Sequence, residues 1–335
     1  MRVCVTGGCG YIGSALVPAL LERKHDVTVL DAMLFGNHLQ PHANLTVVEG
    51  DIRELPAEIQ QGRFDAVIHL ACIANDPSWA LDPAWGKAVN YDALGPLVQW
   101  AKDAGVQRFI YASSSSVYGT QPEGMQVTED VPCERTNEHG QMVPVALTPY
   151  SEYKYRGEQI VLESGMKATV LRPATVCGYA SRLRLDVVVN QMTIDALTKG
   201  VITVHAGDLY RAHLHVADMA RAYVSVLEAE SRLVEGQTFN VGGENLKIRE
   251  LANKVQAQTG VLIADHAATN DPRSYTLNSD RIWRVLGFRA TKTVNDAIAS
   301  VIAAYRSDHI PEPDATHYHN IRRMEELVQG RCLTS

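Results

Sequence analysis

Tyr150 and Lys154, four residues apart in Pro149-Tyr-Ser-Glu-Tyr-Lys-Tyr155, are the pair in this 335-residue chain whose types and spacing first suggest chemistry. On a helix, positions i and i+4 share a face, so the phenol and the ammonium can converge on one point. An ammonium held near a phenol favours the phenolate. That makes the tyrosine a usable general base near neutral pH. Tyr153 and Tyr155 fall on other faces and read as packing or interface residues. Upstream, Tyr111-Ala-Ser-Ser-Ser-Ser-Val-Tyr-Gly119 sets four hydroxyls, Ser113 to Ser116, at the end of an apolar strand. Four adjacent hydroxyls are too polar for a core, so some are expected to face a ligand and others to cap the following turn.

The second constellation is Val3-Cys-Val-Thr-Gly-Gly-Cys-Gly-Tyr-Ile-Gly13, which runs from an apolar strand straight into a helix. Gly8, Gly10 and Gly13 fit G-x-G-x-x-G, and Gly7, Gly10 and Gly13 fit the wider G-x-x-G-x-x-G. Glycines there let the backbone turn tightly and approach a pyrophosphate, with the helix N-terminus facing the negative charge. Asp31 lies 18 positions beyond Gly13, at the end of the second strand. A carboxylate there accepts hydrogen bonds from a ribose hydroxyl pair and repels a 2′-phosphate. No basic residue stands in Asp31-Ala-Met-Leu34, so NAD is favoured over NADP. The other reading of Asp31 is a loop cap. Asp51, closing the third strand, suits the adenine amino group or a turn.

These residues need a scaffold, and the first half supplies one by alternating short β-branched runs with helical patterns. Strands are expected at 2–6, 26–31, 45–49, 66–71, 109–113 and 168–171, with helices at 12–23, 85–104 and 150–163. The apolar run Ala66-Val-Ile-His-Leu-Ala71 implies burial on both sheet faces. The fold class is therefore α/β, a Rossmann-type doubly wound parallel sheet with a smaller C-terminal α/β substrate-binding lobe. Residues 1–172 form the NAD-binding domain, to which 211–242 is expected to return. Residues 173–210 and 243–310 form the lobe, and 311–335 is a tail that wraps the surface; beyond residue 172 helices are expected at 187–198, 216–227, 248–258, 281–286 and 294–305. Ile298, Val301, Ile302 and Tyr305 keep one helical face and should dock on a core. The Pro- and Gly-containing stretch 119–148 reads as a functional or mobile loop, bordering the site as a lid.

In order and spacing, Gly7 to Gly13, Asp31, Asp51, His69-Leu-Ala71, Asn90, Ser113 to Gly119, Tyr150 with Lys154, Leu171-Arg-Pro173, Arg211-Ala-His-Leu-His-Val-Ala-Asp218 and Phe239-Asn-Val-Gly-Gly243 resemble the NAD-dependent epimerase/dehydratase family. The match spans about residues 1 to 307. The resemblance implies an extended short-chain dehydrogenase/reductase with a catalytic Ser114, Tyr150 and Lys154. It implies NAD contacts at Gly7, Gly10, Tyr11, Ile12, Gly13, Asp31, Asp51, Ile52, Leu70, Ala71, Asn90 and Ser113, with Lys154 bonded to the nicotinamide ribose. It implies a nucleotide-diphosphate sugar held by Ser115, Thr175, Asn190, Arg211 and Arg273, arginines meeting the diphosphate. Arg182 and Arg184 lie near Asn190 and suit an acidic sugar or the phosphates. Family members that eliminate water carry an Asp-Glu pair where this chain has Ser115 and Ser116, and the oxidative decarboxylases a Glu at 116. Serine cannot do that work, which leaves epimerisation at a sugar carbon, or keto-sugar reduction as the alternative. A non-catalytic NAD sensor is disfavoured by the intact Ser114, Tyr150 and Lys154. A homodimer through the 85–104 and 150–163 helices is also implied.

Composition narrows the rest. The formal net charge is -7 with no dense Lys/Arg run, which argues against nucleic acid. Apolar stretches fall short of the roughly 20 residues that cross a bilayer, and the N-terminus lacks a signal-peptide pattern. A cytoplasmic enzyme is expected, and the six cysteines, without a C-x-x-C pair, suit a reducing compartment. His213/His215 and His317/His319 lack a supporting carboxylate or thiol cluster, so no metal is expected.

Overall fold

Strand residues of this chain divide by alternation between two apolar layers, and that division builds the fold. The computed structural model describes residues 1–122, 124–266 and 274–332. Val3, Val5, Ile68 and Ile110 face one layer, with Leu16, Leu20, Met219 and Tyr223. Cys4, Val67, Phe109 and Tyr111 face the other, with Leu94, Leu97 and Val161. A sheet buried on both faces must pair along its whole length. Its seven strands are all parallel, ordered Gln237–Val241, Ala168–Pro173, Arg108–Ala112, Ala66–His69, Arg2–Thr6, Asp26–Asp31, Leu45–Glu49. Strand order reverses between Arg2–Thr6 and Ala66–His69. At such a switch point a crevice opens beyond the carboxyl ends.

Two helices set the site against this edge. Gly13–Glu22 follows the glycine turn directly. Pro149–Glu163 begins with a capping box, in which Thr148 accepts from Ser151 N at 3.3 Å, and has Pro149 in its first turn. The Thr148 hydroxyl also bonds Asp76, tying this helix start to the loop after Ala66–His69. Gly157 lets the helix lie on the sheet: a Cβ there would stand 2.3 Å from the Tyr111 hydroxyl.

The expected helix 85–104 is broken. It runs as Pro83–Lys87, a π-helical turn Ala88–Asp92, and Leu94–Asp103. Asn90 sits in the wide turn and bonds the backbone of Ile73 through both ends of its amide, at 2.8 and 3.0 Å. Such turns often mark functional walls.

Beyond Pro173 a three-stranded sheet, Thr175–Cys177, Tyr210–His215 and Glu244–Lys247, adjoins a layer of the helices Val188–Lys199, Ile248–Thr259 and Val294–Arg306. Tyr210–His215 thus belongs to the small sheet, whereas Gln237–Val241 edges the large one. Ile298, Val301 and Ile302 are buried. In the stretch after Gly119, Gln126–Val127 pairs with Thr276–Leu277, next to the cleft residue Tyr275, and Glu134–Thr136 pairs with Met142–Pro144. None of the described residues of this stretch lines the crevice itself, while Thr148 at its end bonds Asp76 on the crevice wall. The tail differs as well, because it carries a helix, Asn320–Cys332, with Met324 buried. Among the described residues no helix is long and apolar enough to cross a membrane.

Candidate active site

A cleft of about 500 Å³ opens at the switch point. The glycine turn forms its floor, and each glycine is needed for a different reason. Gly7 has φ +74°, and a Cβ there would lie 2.5 Å from Ala71 N. At Gly13 a Cβ would lie 2.4 Å from Gly8 O, so helix and strand could not close. At Gly10 the nearest obstacle, Gly7 O, is 3.2 Å away. The space a Cβ would fill at Gly10 is therefore mainly on the cleft side, which is where a diphosphate must approach the amides.

Asp31 stands at the rim with Oδ2 accepting from Cys9 N at 2.9 Å and Oδ1 from Met33 N at 2.8 Å. Burial pushes its carboxyl above the usual range and the two backbone donors pull it back. Each oxygen keeps a lone pair for a ribose hydroxyl, and the glycine cradle with this acceptor fits NAD. Asp51 and Ile52 also line the cleft, but Asp51 is engaged by Arg53 at 2.6 and 3.0 Å. Leu70 and Ala71 form the opposite wall. Behind them His69 is buried against Thr6 Oγ1 at 2.6 Å, and burial drives its imidazole down to about 3, so it is a neutral structural ring.

Tyr150, Lys154 and Ser113 to Ser116 meet on the same cleft. Lys154 is 3% exposed and donates to Ala112 O at 2.8 Å, which leaves two of its three protons for other acceptors. Desolvation holds the Tyr150 phenol well above its ordinary range, with Cys72 adding to the effect. Without added positive charge Tyr150 is an acid, not a base. Ser114 caps the short turn Ser115–Tyr118 and its Oγ accepts from Ser116 Oγ at 2.8 Å, so the Ser114 proton is available to a ligand. Ser115 is held by Tyr275, whose hydroxyl donates to Ser115 O at 2.8 Å. Ser113 turns away from the cleft centre and donates to buried Glu158, which pairs with Arg172 at 2.6 Å.

Two of the expected contacts are engaged by neighbouring groups of the protein. Asn90 braces the Ile73 backbone and is absent from the wall. Asn190 is fully buried: its Oδ1 accepts from Gly178 N at 2.8 Å and its Nδ2 donates to Arg184 O at 2.8 Å and to Tyr11 Oη at 3.2 Å. Both amides thus brace their neighbours, the backbone of Ile73 for Asn90, and Gly178, Arg184 and the cleft residue Tyr11 for Asn190. Arg273 lies outside the described residues. Thr175 and Arg211 do reach the cleft, and both also line a second pocket of about 480 Å³ with Asp195, His205 and Leu209. The cleft further contains Phe35, Trp85, Arg182, Arg184 and Asn320. The two arginines were visible as charges near Asn190, while Asn320 carries no motif.

Fold and cleft define an NAD-dependent enzyme of the short-chain dehydrogenase/reductase type. The model of the NAD dependent epimerase/dehydratase family matches residues 3–242, and the chain belongs to that family. It is 27% identical over 94% of its length to a UDP-glucose 4-epimerase of Corynebacterium glutamicum, covering 100% of that protein. It is 28% identical over 92% to a UDP-glucose 4-epimerase of Lactobacillus helveticus, covering 98%. Among solved structures it resembles MoeE5 in complex with UDP-glucuronic acid and NAD, with TM-score 0.78 and 27% identity over 92% of this chain and 100% of that one. A Thermus thermophilus UDP-glucose 4-epimerase complex with NAD gives TM-score 0.78 and 25% identity, over 91% of this chain and 99% of that one.

Proposed function

We propose that this protein is a nucleotide-sugar epimerase that oxidises the sugar's 4-hydroxyl carbon transiently and reduces it on the opposite face. The observation that carries the reading is the meeting of Ser114, Tyr150 and Lys154 with the glycine cradle and Asp31 on one cleft, beside two serines where water elimination needs carboxylates. Bound NAD supplies the two-electron acceptor, and its ring charge lowers the phenol's pKa.

Lys154, in the same cleft, adds a second positive charge, and together these bring Tyr150 toward the phenolate. Tyr150 then takes the hydroxyl proton as the C4 hydrogen leaves as hydride, so a ketone forms with no net loss of atoms from the site. Ser114 donates to the same oxygen and keeps it aligned. On return the ketone oxygen recovers its proton from Tyr150. The second pocket, joined to the cleft at Thr175 and Arg211, suits the nucleoside, with Arg211 meeting the diphosphate. The names of the relatives make UDP-glucose, UDP-galactose and UDP-glucuronic acid the first compounds to try.

Purified protein given this panel without added cofactor should interconvert one 4-epimer pair over many turnovers, and Tyr150→Phe should lose at least 100-fold in kcat (on the order of general acid–base contributions). Unchanged turnover in Tyr150→Phe would overturn the assignment. Turnover only with stoichiometric reduced cofactor would identify a keto-sugar reductase instead.

A further inference from the structure

The C-terminal segment, which no motif distinguishes, joins three separate stretches of the cofactor cleft. Met324, 2% exposed, is buried with Ile73 and Trp85, against Leu34 and Phe35. Arg323 Nε donates to Leu34 O at 2.7 Å. Arg182 Nη2 donates to Asn320 Oδ1 at 2.7 Å, and its guanidinium stacks on the Phe35 ring at 3.9 Å. Leu34 and Phe35 follow Asp31, Ile73 follows the Ala66–His69 strand, and Arg182 comes from the lobe. Their wall positions border the cleft at its Asp31 end, and Asn320 itself is on the wall.

Arg182 is the unusual member. Its side chain is 2% exposed, its Nε has no partner, and its hydrogen-bonded neighbour at Asn320 is an uncharged amide. Its backbone N–H donates to Ser14 Oγ at 3.2 Å, which fixes this residue at the first turn of the glycine helix, where anions bind. Asp186 and Asp31 act on this cation through space, but neither forms a direct ion pair with it, and burying a cation on those terms is costly; a diphosphate at that helix end would relieve the cost. Burial, with Arg184 adding to it, lowers the guanidinium to about 9, outweighing the pull of Asp186 and Asp31.

We propose that the C-terminal segment around Asn320–Met324 is a clasp that closes the Asp31 end of the cleft, with Arg182 presented by Asn320 and Phe35 to the cofactor's diphosphate, so that NAD stays bound from one turnover to the next. The proposal deepens the epimerase reading, in which the cofactor is regenerated in place and need not leave. On this proposal the nucleotide leaves past Asp31 when the segment lifts from its contacts with Leu34, Ile73 and Arg182.

The test is exchange of bound NAD for isotopically labelled NAD in the full-length protein, with no sugar present. The double variant Asn320→Ala/Arg323→Ala and the single variant Arg182→Leu should each exchange at least tenfold faster than the parent. Arg322→Ala, on the exposed side of the same helix, should exchange at the parental rate. A chain ending at Asp314 should exchange fastest, and if it does not fold the point variants decide. Exchange unchanged in both Arg182→Leu and the double variant overturns the clasp. Because no sugar is used, failure to epimerise any nucleotide sugar would strike the proposed function and leave the exchange result standing.

Discussion

Behind the catalytic helix, Glu158 and Arg172 form an ion pair at 2.6 Å whose side chains are 2% and 7% exposed. Ser113 donates to Glu158, Arg172 Nη1 donates to the Tyr118 hydroxyl at 2.9 Å, and Tyr118 donates to Asn240 at 2.7 Å. Burial alone would lower the guanidinium's pKa, but the hydrogen bonds and charge of Glu158 outweigh it and hold Arg172 above its ordinary range. Glu158→Leu therefore strands a buried cation, at a cost of about 3–5 kcal/mol. With unfolding entropy of roughly 2.1 cal/mol/K per residue, the 335 residues give about 0.7 kcal/mol/K, so Tm should fall by about 4–7 °C. Removing both charges in Glu158→Leu/Arg172→Met should restore most of that, because an apolar pair of similar volume is often neutral. Scanning calorimetry at fixed protein and saturating NAD measures the parent, both single variants and the double, since ligand concentration itself shifts Tm. A Glu158→Leu Tm within 1 °C of the parent, or a double variant whose loss equals the sum of the two singles, would refute the reasoning.

Gly10→Ala should leave the NAD-free fold within about 1 kcal/mol of the parent yet weaken NAD at least tenfold by titration, whereas Gly13→Ala, meeting backbone at 2.4 Å, should fail to fold stably; equal effects of the two would contradict the cradle. His69 and His213 are both lowered to about 3 by burial. Neutral when folded and protonated near 6.5 when unfolded, each should remove about 1.4 kcal/mol of stability per pH unit as pH falls from about 6.5 toward 3. His213→Phe should cut that slope by one histidine's share in denaturant titrations at pH 6 and pH 4.5; an unaltered slope would contradict the assignment. If Lys154 lowers the Tyr150 phenol, then Lys154→Met should move the inflection of the rising kcat/KM–pH profile upward by at least one unit; a profile that keeps its inflection and loses only amplitude would limit Lys154 to binding.

Much of the site was legible because its constraints are local. Glycines that avoid a backbone clash, a carboxylate at a strand end, and a Tyr–Lys pair one helical turn apart all announce themselves within a few residues. The strands were legible because burial on both sheet faces forces continuous apolar runs. A carboxamide that braces backbone, as Asn90 and Asn190 do, looks in sequence the same as one that faces a ligand. The π-helical turn that Asn90 occupies has no periodic signature. The clasp was invisible for another reason: Asn320 and Arg182 are 138 positions apart, and the helix bearing Asn320 is mostly polar, with Met324 as its buried anchor. The stretch 119–149 reads as a lid from its length and composition, whereas the pairing of Gln126–Val127 with Thr276–Leu277, far along the chain, has no local signal.

The central claim is that one molecule of sugar gives up and recovers the same hydrogen inside this cleft. The direct measurement is turnover of a nucleotide sugar deuterated at C4, by protein carrying only the NAD with which it purifies. The account predicts an inverted product that keeps its deuterium at C4. Product carrying solvent hydrogen at C4, or conversion only when reduced cofactor is added and consumed, would contradict it.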